Sequence, residues 1–293
     1  PAHFFRRTME RLCRVVRPGE ITTAGPAVNN RREDAPHGGT DHVPCLHVPG
    51  WWPGRAEFDS RQRQNDFPTA AARQDMIRFG VHLVPVGRPG SATEDIEWRV
   101  SLSRAEVIAV RQLCAAQRAT IKALKAVKRL ASESGADTHL KSYFIKTAVL
   151  WLAQDEPSGR WPGVTAGVRM ALRWLEDRLT DRHMPCFFWA DVDITMSLTE
   201  EQRQAAIRTV RLIGERLDCY LMVHCDRLWH GLVNWLLEDG EAPLSEAELR
   251  RGLGRWLIMN AVVEGRAYRP SAAPCWRFWW EDAMSRLARA SQP

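Results

Sequence analysis

The spacing of apolar and polar positions changes once along the chain, near Ser103. Before it, apolar residues come in short runs bordered by Gly and Pro, which predict strands at "EITTAGPAVN" (20–29), "DHVPCLHV" (41–48), "VHLVPV" (81–86) and "IEWRVSL" (96–102). The first two read as neighbours separated by a polar loop. A rigid "PGWWPG" turn, a polar helix-like stretch to Asn65 and a helix at about 69–79 lie between the second and third. In the fourth, Trp98, Val100 and Leu102 alternate with Arg99, Ser101 and Ser103, giving one apolar and one polar face.

From Ser103 the spacing is helical almost to the end. Ser103 and Glu106 form an S-x-x-E capping box at the start of a helix predicted to run to about Ser132. Further helices are predicted at 138–155, 164–181, 199–218, 219–238, 245–264 and 276–289, with a short basic one at 3–17. The whole reads as α+β.

Composition narrows the class. A chain of 293 residues, 45% hydrophobic and 26% charged, is that of a soluble globular protein. It has no long apolar run, and its N-terminus lacks a secretory cleavage site. No membrane association and a cytoplasmic or nuclear setting are therefore expected. The first residue is Pro rather than Met, which predicts a processed or N-terminally truncated chain. Seven cysteines without a C-x-x-C pair form neither a disulfide framework nor a zinc ribbon. His224 and Cys225 are adjacent, and neighbouring side chains on a helix diverge by about 100°, so they do not predict a metal site. A net charge of +6 suits an anionic partner.

Four places hold candidate chemistry. Asp41 opens an otherwise apolar strand face with Val43 and Cys45; such a carboxylate holds a cation or is satisfied by local backbone N–H groups. Arg118, Lys122, Lys125 and Arg129 form a cationic stripe on one helix, either a phosphate surface or a solvated face. Ser142, Tyr143 and Lys146 stand at the start of the next helix, where anions are favoured. Asp191 and Asp193 in "WADVDITM" have the spacing of paired metal carboxylates, yet lie amid helices without an upstream Gly-Ser, which predicts a loop. The Trp-rich region near the C-terminus, with Trp229, Trp235 and "PCWRFWWEDAM", reads as packed helices, with an exposed aromatic docking patch as the alternative.

Taken in order, "GPAV", "DHVPC", "HLVPVG", "IEWRVSLSRAE", "TIKALK", "LKSYFIKTAVLWL" with Trp161, and "RHMPCFFW" resemble the male-abnormal-21 (mab-21-like) family, which includes cyclic GMP-AMP synthase and cGAS-like receptors. The resemblance covers roughly Gly25 to Leu198. It implies the C-terminal part of a nucleotidyltransferase-fold mixed sheet in residues 1–102, an all-helical HhH/H2TH-like domain in 103–198, and a further helical region of unknown function in 199–293. The nucleotide of family members lies in the cleft between the halves.

Carried over by position, Asp41 resembles a catalytic, metal-binding carboxylate for Mg²⁺ or Mn²⁺. Arg99, Ser101 and Ser103 resemble the residues that read the acceptor base, and Glu106 a further nucleotide contact. Lys125, with Lys122 nearby, resembles the donor-phosphate lysine; Ser142 resembles a phosphate or sugar contact and Tyr143 a base-stacking aromatic. Active relatives place a Gly-Ser turn and two more carboxylates upstream of "GPAV", and the first 24 residues here contain neither. Two of three metal carboxylates are thus absent, and a two-metal transfer cannot run on one. The zinc insertion is also absent, so no zinc is expected. The resemblance implies a synthase making a cyclic dinucleotide from ATP and GTP in innate immunity, with this chain inactive alone, or else a non-catalytic nucleotide-binding or scaffold member. The positive charge and the basic first helix, "FFRRTMERLCRVVR", allow double-stranded RNA or DNA as a further partner.

Overall fold

The computed structural model describes residues 43–221 except 89, 137, 157–160, 162 and 219; before these it describes 7, 8 and 11 and the strand backbones at 20–24, 27–31 and 40–42. The helices expected at 219–238, 245–264 and 276–289, His224, Cys225 and the C-terminal tryptophans lie outside the described residues, as does most of 3–17. The chain divides into two compact units, one of Pro1–Arg61 and Pro68–Gln112, the other of Gln62–Phe67 and Leu113–Pro293.

The first unit holds two antiparallel three-stranded sheets. Expected as one strand, "EITTAGPAVN" is instead a hairpin, β1 (Glu20–Ala24) against β2 (Ala27–Arg31), with Gly25 and Pro26 between them. Pro cannot donate to a ladder, and Gly-Pro favours a turn. The strand expected at 41–48 is also divided: β3 (Thr40–His42) pairs with β2, whereas β4 (Leu46–Val48) joins the second sheet. Pro44, buried between them, breaks the run, so Asp41 shares no strand face with Val43 or Cys45. The second sheet has the order β4, β5 (Val81–Val84), β6 (Arg99–Ser101). Every pairing among the described strands is antiparallel, where the resemblance implied a mixed sheet.

Helix α1 (Arg55–Ser60) buries Phe58 against Trp52, their rings stacked at 5.0 Å. Helix α2 (Ala70–Phe79) starts at Thr69, whose hydroxyl accepts the Ala72 N–H. The Gln112 amide grips the same residue twice, accepting the Thr69 N–H at 2.9 Å and donating to its hydroxyl at 3.2 Å. Gln112 ends α3 (Ser103–Gln112), so α2 and α3 lie antiparallel. Gly80 stops α2 at φ 80°; a Cβ there would stand 2.1 Å from the Val48 carbonyl oxygen. Only glycine lets the β4 backbone pass so close.

The helix expected from Ser103 to Ser132 is two helices. It breaks after Gln112, and α4 (Ala115–Glu133) begins beyond Cys114. The Gln117 side chain accepts the Cys114 N–H at 2.9 Å, and the Arg118 guanidinium donates to the Leu113 carbonyl. The backbone groups freed by the break are therefore satisfied locally. Ser103 is itself the first helical residue of α3.

In the second unit, α4 packs on α5 (Ser142–Asp155), α6 (Val164–Thr180) and α7 (Glu200–Glu215). Residues 62–67 join this unit because the Asn65 amide donates to the carbonyls of Ala153, Gln154 and Glu156, at 3.1, 3.2 and 2.7 Å, capping the end of α5. A capping box of Thr199 and Gln202 opens α7. The "WADVDITM" segment expected as a loop is a strand over most of its length, β8 (Trp189–Asp193), paired with β7 (Pro185–Cys186). Among the described residues no helix is long and apolar enough to cross a membrane.

Candidate nucleotide site

The two units each hold part of the residue set implied by the resemblance. In the first, β6 presents Arg99 exposed and Ser101 half-buried; Ser103 is exposed and Glu106 half-buried on α3. The approach to β6 is pinned by Glu97, whose carboxylate accepts the Arg88 N–H at 2.7 Å and the hydroxyls of Ser91 and Thr93. The Ser91 hydroxyl foremost, then the Arg88 N–H and the Thr93 hydroxyl, hold its pKa down at about 2. This clamp replaces the first part of the strand expected at 96–102 with a 3₁₀ turn, Glu94–Ile96.

Register adds residues that sequence reasoning missed. His82 of β5 lies between His47 of β4 and Ser101 of β6. With side chains alternating along strands, this row and Arg99 share one sheet face. The His47 and His82 rings are 5.4 Å apart, and the His47 Nε2–H donates to the Phe79 carbonyl at 2.8 Å. Burial, and then the nearness of His47, lowers the His82 pKa. The polar positions inside "CLHV" and "VHLV" were the available signal.

Asp41 stands on β3 opposite Asn29, which stands opposite Thr22. That row brings no second acidic residue to Asp41, and no group of three His, Cys, Asp or Glu suited to a metal occurs among the described residues. A two-metal Mg²⁺ or Mn²⁺ site takes several carboxylates, and the described residues hold no such group. Asp191 and Asp193 do not supply one. Asp193 accepts the N–H of Met184 at 3.0 Å and the N–H and hydroxyl of Thr195 at 2.9 and 2.7 Å, the bonding of a structural carboxylate.

In the second unit, Arg118, Lys122, Lys125 and Arg129 are all exposed on α4, while Ile121, Leu124 and Val127 are buried. The cationic stripe is therefore an accessible surface. Burial, and then the charge of Lys125, lowers the pKa of the neighbouring Lys128. Ser142 is the first residue of α5 and half-buried. Tyr143 is half-buried too, its hydroxyl 3.5 Å from the Cys186 sulfur and its ring 5.7 Å from the Lys146 ammonium. A ring held this way offers a flat surface with little freedom left to lose.

Residues 116–212 match the family model of the Mab-21 protein HhH/H2TH-like domain. The match runs from the start of α4 into α7, past residue 198, where the helical domain was expected to end. No match is found among curated proteins. The α+β order with this helical domain in its second unit is the architecture the resemblance implied. Residues 116–212 therefore carry a Mab-21 HhH/H2TH-like domain, as the resemblance implied.

Proposed function

We propose that this chain binds a nucleoside triphosphate, ATP or GTP, and that the residues described here do so without joining nucleotides. The family is nucleotidyltransferase-like. The observation that carries the reading is the α4 face: four exposed cations over a buried apolar side, suited to a triphosphate. Lys122 and Lys125 offset phosphate charge, Ser142 donates from its hydroxyl at the start of α5, and Tyr143 offers a ring to the base.

Calorimetric titration with ATP and with GTP tests this. Saturable heat is expected, weakened by about tenfold or more in Lys125→Ala, the worth of one charge-assisted contact. Absence of both heat and thermal shift would leave a scaffold role and end the proposal. The synthase reading rests on Asp41 alone. Incubation with ATP, GTP and Mg²⁺ or Mn²⁺ should yield no cyclic dinucleotide, and a product lost in Asp41→Asn would establish synthesis instead.

A further inference from the structure

Helices α2 and α3 border an open groove of about 630 Å³ within the first unit, lined chiefly by Asp75, Arg78, Phe79, Arg104, Ile108 and Arg111. Three arginines face one acid. The acid, Asp75, pairs with Arg78 at 3.4 Å, but the two side chains are 61% and 78% exposed. Such a pair contributes little and yields readily to a stronger anion.

Arg104 is more defined. Its guanidinium lies 5.7 Å from the centre of the Phe79 ring. That ring is itself fixed, tilted against His47 at 4.4 Å and edge-on to His82 at 5.2 Å. A planar fork held on an aromatic surface keeps its donor edge available to an oxyanion with little ordering left to do. At the other end of α3, the two hydrogen bonds between Gln112 and Thr69 fix the distance between the helices.

The helical wheel sets this groove apart from Glu106, while its Phe79 rests on His47 and His82, whose sheet face also carries Arg99 and Ser101. At about 100° per residue, Arg104, Ile108 and Arg111 fall on one narrow arc of α3, and Glu106 falls roughly opposite.

We propose that this groove is a second anion site, taking a small molecule with two adjacent phosphate groups, with Arg104 and Arg111 as principal donors. It is independent of the triphosphate reading above. The test is calorimetric titration of the full chain with inorganic pyrophosphate, beside the variant Arg104→Gln/Arg111→Gln and the control Lys125→Ala. Pyrophosphate should bind the parent chain both in the α2–α3 groove and on the α4 stripe; the double variant should weaken the first binding at least about tenfold and keep the second, and Lys125→Ala should weaken only the second. Both arginines are exposed, so an unchanged thermal midpoint should confirm that the double variant folds.

Unchanged affinity in the double variant overturns the proposal, as does no binding to the parent chain. Loss confined to Lys125→Ala places pyrophosphate on α4 and overturns it too. A 20-base-pair duplex is the comparison ligand: if it depends on Arg104 and Arg111 while pyrophosphate does not bind, the surface reads nucleic-acid backbone and the small-ligand assignment fails.

Discussion

Gly167→Ala sets helix propensity against packing. Gly167 lies inside α6, where replacing glycine by alanine favours the helix by about 1 kcal/mol. The structure reverses that sign. A Cβ at 167 would stand 2.3 Å from the Thr120 hydroxyl oxygen and 2.9 and 3.0 Å from two carbons of the Trp161 ring. Neither neighbour yields easily: Thr120 is fully buried on α4 with its hydroxyl bonded to the Ala116 carbonyl at 2.9 Å, and Trp161 is 6% exposed. Overpacking of this kind costs about 1–3 kcal/mol, and displacing the Thr120 hydroxyl about 1 more. After the propensity gain, a net loss of about 1–3 kcal/mol is expected. Urea unfolding followed by circular dichroism measures it. Combined with Thr120→Ala, which removes the nearest atom, the cost should fall by roughly half, since the Trp161 contacts persist. A Gly167→Ala protein more stable than its parent, or one indifferent to Thr120→Ala, refutes the close approach of α4 and α6.

Three other outcomes follow from the same reasoning. Gly80→Ala combines a φ of 80° with a Cβ 2.1 Å from the Val48 carbonyl; a loss of about 2–4 kcal/mol in urea unfolding is expected, and parental stability contradicts it. Burial raises the Asp193 pKa, but the N–H of Met184 and the N–H and hydroxyl of Thr195 outweigh it and set it below the ordinary 3.8. Its stabilisation is present above that value and lost as pH falls through the lower folded one, so Asp193→Asn should flatten the acid limb of thermal midpoints; superimposable limbs contradict this. The His82 pKa lies below the ordinary 6.5, through burial and then His47, so the neutral ring is favoured in the fold. Stability should be complete above pH 6.5 and fall as pH drops through the lower folded value, and less so in His82→Phe; equal pH dependence of the two melting curves contradicts it.

The sequence by itself determined the elements whose signal is local. Helix α2 was legible at 69–79, and α5, α6 and α7 near their observed bounds, because apolar residues at helical spacing mark a buried stripe whatever it packs against. The buried side of α4 and its exposed cations were legible for the same reason. Tertiary structure decided the rest. The break at Leu113–Cys114 carries no Gly or Pro and keeps helical spacing on both sides, so only the bonds of Gln117 and Arg118 reveal it. Asp193 became a structural acid once β7 and β8 paired and brought the Met184 N–H to it. The row of His47, His82 and Ser101 exists only through register between strands that lie far apart in the chain, and the arginines of the α2–α3 groove meet only because those helices pack antiparallel. Periodicity states which side of an element is buried; pairing and packing decide what stands opposite it, and the candidate chemistry of this chain depends on the second.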